Sequence, residues 1–385
     1  MSNAYRTKNS TGLINKNKKI NFSFNGHTYH GYEGDTLASA LISNGIHLIG
    51  RSFKYHRPRG FLGVGVEEPN AMVQLHEGNK SEPNIIATEV ELVEGLKAKS
   101  QNCWPSVQFD IGEVNNLLNR FFPAGFYYKT FMWPKSFWMK IYEPFIRKAA
   151  GMGVAPLQPD PDRYEHNYEH CDVLVVGSGP SGLASALAAA KNGARVILAE
   201  DKANFGGSLL TDEVTIGNMS GKEWANDTVA QLKSLPNVLL KKRSQVFGYY
   251  DHNMTVMIER VSDHQENPSK YTPRQRLHYI RAGEVIVSTG SIERPISFGN
   301  NDRPGILLAS AAKEYMKVYE TLVGKKPIIF TNNDTAYSTA LEFLKNDIVP
   351  VILDTRNNSN GELVKEVKQK GVNIRFNSCL LYTSP

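Results

Sequence analysis

Residues 172–200 read DVLVVGSGPSGLASALAAAKNGARVILAE, and no other stretch of the chain restricts its fold as tightly. An apolar run rich in valine ends in Gly177-Ser178-Gly179-Pro180-Ser181-Gly182, an alanine-rich segment follows, and a second apolar run ends at Glu200. That order predicts a strand, a tight turn, a helix and a second strand. Each glycine has its own steric task. Gly177 permits the sharp turn, Gly179 lets the backbone approach a pyrophosphate, and Gly182 lets the helix pack closely on the strand. The helix N-terminus then faces the phosphates with free N–H groups and the positive end of its dipole. Glu200, about 20 residues past the loop, stands where a carboxylate accepts ribose hydroxyls and repels a 2′-phosphate. Asp201 and Lys202 follow it at the rim of the same site. The expected ligand is NAD or FAD rather than NADP, and the loop accommodates either.

At 385 residues the chain has length for two or three domains. Residues 1–18 are polar and basic and lack the apolar segment of a secretory signal, so they read as a flexible arm of a cytoplasmic protein. No apolar run approaches the roughly 20 residues that span a bilayer, so no membrane association is expected. The net charge of +6 and the cluster Arg51, Lys54, Arg57 and Arg59 read as solvated surface, not as a nucleic-acid site. Cys103, Cys171 and Cys379 form no CxxC pair, which speaks against structural zinc and a redox-active disulfide, though distant pairing stays open.

Within residues 19–99, KINFSFNGHTYHGYE alternates around Asn25-Gly26, the dipeptide of a type I′ hairpin turn, and GDTLASALISNG follows as a short capped helix. Hairpin then helix opens a β-grasp module. Residues 100–168 hold an aromatic-rich stretch and a Pro-rich linker, and the next domain starts at about Glu169. The aromatic residues are either a layer packed on the main domain or a surface for a partner subunit, and sequence leaves both open.

The module, with GDTLASAL and FKYHRPRGFLGVGVEEPNAMVQL, resembles the N-terminal part of the α subunit of heterotetrameric sarcosine oxidase. Related dehydrogenase subunits carry a [2Fe-2S] cluster here, held by four thiolates. The loop 60–68 has no cysteine, so the expectation is a ferredoxin-like module with no iron–sulfur cluster and no metal site. Further on, the chain resembles the flavoprotein disulfide reductases. Phe205-Gly206-Gly207-Ser208-Leu209 resembles their second glycine pair, placing Gly207 and Ser208 at the dinucleotide. Val246 resembles the position whose main chain meets the adenine. Glu284–Pro295, EVIVSTGSIERP, resembles the turn at which the chain leaves the first nucleotide domain, adding Thr289 and Gly290 to the site.

Residues 326–356, KPIIFTNNDTAYSTALEFLKNDIVPVILDTR, repeat the strand–turn–helix–strand pattern. Thr331 and Asn333 stand where glycines are required, so this second site is expected to be degenerate. The fold class expected is α/β: a cluster-free β-grasp module, then a Rossmann-like two-dinucleotide domain, truncated. The first nucleotide domain spans 169–323 and the inserted, incomplete second one 324–378. Residues 379–385, CLLYTSP, read as a non-native tail, and the chain as an N-terminal fragment.

The resemblance implies NAD held by this chain, with no catalytic residue of its own. It implies β, γ and δ subunits, FAD and FMN in the complete complex, sarcosine as substrate, tetrahydrofolate as one-carbon acceptor and oxygen as electron acceptor. The alternatives are the α subunit of a related amino-acid or opine dehydrogenase, and a noncatalytic NAD-binding scaffold.

Overall fold

The computed structural model describes residues 4–8, 11–121, 125, 129–151 and 153–379. It divides into one unit made of Met1–Asp160 with Glu293–Pro385 and a second unit, Pro161–Ile292.

The first unit opens on the expected hairpin, β1 (Asn15–Phe24) and β2 (His27–Glu33), whose turn residues Asn25 and Gly26 both have positive φ, 52° and 80°. Helix α1 (Leu37–Ser43) is capped by Thr36, whose side chain accepts from Ser39 N while the Ser39 hydroxyl oxygen accepts from Thr36 N, a reciprocal box that satisfies two otherwise orphaned donors. Strands β3 (Met72–Leu75), β4 (Glu82–Ile86) and β5 (Leu96–Ser100) complete a five-stranded sheet in the order β2-β1-β5-β3-β4. Phe22, Phe24, Leu37, Leu41, Val73 and Leu96 fill the core between sheet and helix.

The expectation of a flexible arm is corrected in the residues described. Arg6 donates to Asp35 at 3.1 Å, Thr7 N to Glu320 O at 2.9 Å, and Leu13 N to Val318 O at 2.8 Å. Asp35 is fully buried, and the arm supplies the cation its charge requires. Within the basic cluster Arg51 is buried, and Arg57 and Arg59 are half-buried and paired rather than freely solvated. Arg57 and Arg59 both pair with Asp302, and buried Arg51 donates to Val107 O at 2.9 Å and to Glu113 at 3.0 Å.

That arginine anchors the start of the aromatic stretch, which ends in helix α2 (Glu143–Ala150). Between them Trp104, Phe109, Phe121, Met139 and Phe145 are exposed, as is Trp133 at 84 %. Packed rings would be dry, so among the described residues this stretch is surface.

In the second unit β6 (Tyr164–Val176) runs into the glycine loop, α3 (Pro180–Lys191) and β7 (Val196–Ala199). Then come α4 (Gly221–Ser234), β8 (Val238–Lys241) and an antiparallel meander of β9 (Ser244–Tyr250), β10 (Met254–Arg260) and β11 (Gln275–Val287). The sheet order is β8-β7-β6-β11-β10-β9. Residues 164–170, of which 164–168 were read from sequence as linker, are the first half of β6. They pair in parallel with residues 275–281 of β11. Their polar composition hid the strand, because the buried partners are charges: His278 lies between Glu169 at 2.9 Å and Glu259 at 2.8 Å.

The chain then rejoins the first unit. Helix α5 (Ala309–Lys317) packs on the β-grasp core, and the Tyr315 hydroxyl donates to Gly63 O at 3.0 Å. Strands β12 (Ile328–Thr331), β13 (Val351–Asp354) and β14 (Asn373–Arg375) form a parallel three-stranded sheet with α6 (Tyr337–Lys345) and α7 (Glu362–Gln369). Of the tail, residues 380–385 lie outside the described residues.

Candidate functional site

The glycine loop sits at the C-terminal end of β6, tied to its neighbours by Gly177 N donating to Ala199 O at 2.9 Å and Ser288 N to Val176 O at 2.7 Å. Gly177 has φ +95°, and a Cβ there would come within 2.4 Å of Ser288 O. A Cβ on Gly182 would lie 2.0 Å from Gly177 O. These two glycines are required by the protein's own backbone. Gly179 differs: its backbone is extended, and a Cβ there would meet nothing within 4 Å. The space above it is open, at the N-terminus of a 12-residue helix whose first N–H groups have no side-chain cap. An anion fits such a place, since free donors and the helix dipole both favour it.

The second glycine pair closes over the loop. Gly206 N donates to Ser178 O at 3.1 Å, and a Cβ on Gly207 would lie 2.8 Å from Gly179 Cα. Gly207 and Ser208 are exposed at the rim with Pro180 and Ser181. Thr289 adjoins the loop through Ser288, and Gly290, with φ +73°, continues the turn. Val246 lies on β9 two residues beyond Ser244, whose N–H donates to Glu200 O at 2.8 Å.

Glu200 is buried, 6 % exposed, and its carboxylate accepts from Ser178 N at 3.0 Å, from the Ser178 hydroxyl, and from Lys202 N at 3.1 Å. Burial and the neighbouring Asp201 push its carboxyl up to about 7, against the opposing donors Ser178 and Lys202. Arg260 donates to Asp201 O at 2.6 Å and fixes that corner. Sequence reasoning placed Ser178 in the cofactor site but did not foresee its hydroxyl on Glu200, because the fingerprint leaves that place unspecified. It also missed the ammonium of Lys242 over the Phe205 ring at 5.1 Å.

The second turn is built differently. Asn333 N donates to Thr331 Oγ1 at 3.2 Å and Thr335 N to Asn333 Oδ1 at 2.9 Å, so side chains fill the turn. Asp354, at the end of β13, is fully buried; it accepts from Tyr337 Oη and from Arg356, each at 2.7 Å. Arg356 also reaches Asp334 at 2.7 Å. The carboxylate at the ribose place is thus satisfied internally.

Cys103 and Cys171 form no disulfide, and burial pushes the Cys171 thiol up to about 11. Among the described residues no helix is long and apolar enough to cross a membrane, and no group of three or more acid, histidine or cysteine side chains is arranged to hold a metal ion.

A β-grasp module with a glycine-loop Rossmann unit defines an oxidoreductase chain of the FAD/NAD(P)-binding type. Residues 172–249 match the family described as FAD dependent oxidoreductase, and residues 17–103 match the 2Fe-2S iron-sulfur cluster binding domain. Over 343 residues, 89 % of its length, the chain is 51 % identical to the sarcosine oxidase subunit alpha of Rhizobium meliloti (strain 1021), of which it spans 35 %. It is 33 % identical to the subunit alpha of Corynebacterium sp. (strain P-1) over 89 % of its length and 31 % of that protein. These relatives bear out the resemblance read from the sequence, and the chain spans about a third of their length. The fold is similar to that of L-proline dehydrogenase from P. horikoshii, with TM-score 0.60 and 19 % identity, covering 94 % of this chain and 57 % of that one.

The cluster-binding match overturns the expectation of a module with no iron–sulfur cofactor. The loop 60–68 misled because it was judged by its cysteines alone, whereas the match rests on the whole module. Cys103 is the one cysteine of residues 17–103, so this region does not supply the four thiolates a cluster takes, and no chemistry is routed through one here.

Proposed function

We propose that this chain is an α subunit of a heterotetrameric sarcosine oxidase and holds an adenine dinucleotide on Gly177–Gly182, with NAD as resident ligand and FAD as the alternative on the same loop. The observation that carries the reading is the 51 % identity over 89 % of the chain, joined to a loop whose middle glycine leaves open space at a helix N-terminus. Ser178, Pro180, Ser181, Glu200, Asp201, Lys202, Gly207, Ser208, Val246, Thr289 and Gly290 complete the site.

The dinucleotide, when bound, carries a redox-active ring. This chain's residues bind and orient its adenosine and pyrophosphate: helix α3 faces the phosphates and Glu200 accepts a ribose hydroxyl. The internally filled turn at Thr331–Ala336 supports a single dinucleotide per chain, since the second Rossmann-like lobe has no open approach. The exposed aromatic stretch supports assembly with β, γ and δ subunits that bear FAD and FMN. The complex would take sarcosine, oxygen and water to glycine, formaldehyde and hydrogen peroxide, or pass the one-carbon unit to tetrahydrofolate.

The test is oxygen uptake with sarcosine. The chain alone, saturated with NAD and FAD, should consume none, whereas a full-length α chain co-expressed with its partner subunits should. Sarcosine-dependent uptake by the 385 residues alone would overturn the assignment of catalysis to a partner.

A further inference from the structure

Ser178 occupies the unspecified place of the loop, yet its residue is 0 % exposed and its hydroxyl turns inward. The hydroxyl donates to Glu200 Oε2 and accepts from Gly206 N at 3.2 Å, so its donor and an acceptor site are both used. Its own N–H also donates to Glu200 Oε2, and its carbonyl accepts from Gly206 N. One residue therefore joins the glycine loop, the ribose carboxylate and the second glycine pair. A carboxylate has about four acceptor sites. Ser178 N, Ser178 Oγ and Lys202 N take three, and the Asp201 side chain borders the remaining place, where a ligand hydroxyl would donate instead.

We propose that Ser178 is a positioning residue for dinucleotide binding: its hydroxyl fixes the Glu200 carboxylate to receive a hydroxyl of the adenine ribose and holds Gly206-Gly207 over the pyrophosphate place. This rests on the adenine-dinucleotide reading of the loop. Around Glu200 stand Asp201 and Lys202 on its own turn, Ser178 from the glycine loop, and from β9 and the turn before it Ser244 and Arg243, the latter donating its N–H to Lys202 O at 3.1 Å. Arg260 arrives from β10 on Asp201 O. A ribose hydroxyl donates best to an ionised carboxylate, so binding should release a proton from Glu200 and tighten as pH rises through neutrality.

The experiment titrates NAD into the chain by calorimetry from pH 6 to 8.5, for the native chain and for S178A, S178C, E200A and S178A/E200A, with melting curves to confirm folding. S178A should weaken binding about tenfold or more, a loss equivalent to one charge-assisted hydrogen bond. It should also displace the rise in affinity to higher pH, because the ionised carboxylate has lost a donor. S178C, nearly isosteric but a poor donor, should fall between the two. E200A should flatten the pH profile, and S178A should add little on that background. Equal losses from S178A with and without Glu200, or an unmoved pH profile, would make Ser178 merely structural and overturn the inference. A native chain that binds neither NAD nor FAD would instead remove the dinucleotide reading and this inference with it.

Discussion

Replacing Gly179 by valine separates what the glycine loop does for the ligand from what it does for the fold. Gly179 has φ −66° and ψ −174°, a conformation that any L residue adopts, and a Cβ there meets nothing within 4 Å. The chain-entropy gain of about 0.4–1 kcal/mol on leaving glycine is offset by a poorer helix N-cap, so the free protein should keep its stability to within about 1 kcal/mol. Binding should fail. The branched side chain fills the approach to the α3 N-terminus, and losing two charge-assisted hydrogen bonds at about 1.5–3 kcal/mol each weakens affinity by about two to four orders of magnitude. Gly182→Ala is the opposite case. Its Cβ would lie 2.0 Å from Gly177 O, so backbone must move, at a cost of about 1–3 kcal/mol or more and a melting temperature lower by several degrees. The assay is thermal melting with and without NAD, beside dinucleotide recovered on acid release. A G179V protein that still carries dinucleotide, or that melts as low as G182A, would refute the division of labour between the glycines.

Two further outcomes rest on buried charge. Burial opposes protonation of His278, but the hydrogen bonds its ring N–H groups donate to Glu169 and Glu259 outweigh it and raise its pKa above the ordinary value, while the bond to Glu169 holds that carboxyl down at about 2. A raised folded pKa stabilises the protein fully below the unfolded value of about 6.5 and ceases to as pH climbs through the folded one. H278Q should therefore be destabilising by about 3–5 kcal/mol near pH 6 and by less at pH 9.5, and an equal loss at both in denaturant titration would refute the charged assignment, with Lys241 and Arg276 also facing the pair. In the inserted lobe, R356M should leave Asp354 buried with only Tyr337 and the backbone N–H of residue 356 as donors and cost about 1–3 kcal/mol, read as a lower melting transition without any second equivalent of dinucleotide.

The sequence by itself determined the elements whose local chemistry has few solutions. Asn25-Gly26 specified the hairpin because both residues must take positive φ, Asp35-Thr36 marked the start of α1, and the spacing of Gly177, Gly179 and Gly182 specified the strand–turn–helix, since Gly182 answers the Gly177 carbonyl five residues away and the turn itself needs the freedom of Gly177. Glu200 was legible for the same reason, as the end of the next strand. Tertiary structure decided whatever depends on partners distant in the chain. Residues 164–168 look like linker until β11 pairs with them, and Arg276 and His278, more than a hundred residues later, pair with Glu165 and Glu169 and draw the polar stretch into the sheet. The N-terminal arm looks mobile until Asp35 and Glu320 hold it. Ser178 was legible only as a member of the loop, because a serine hydroxyl fits loop, cap or core equally well; the role of its side chain comes from the position of Glu200 and Gly206 against it. Local sterics are written in consecutive residues, whereas charge pairing and hydrogen-bond satisfaction in the interior are settled by which distant groups share a low-dielectric space, and that is a property of the folded chain.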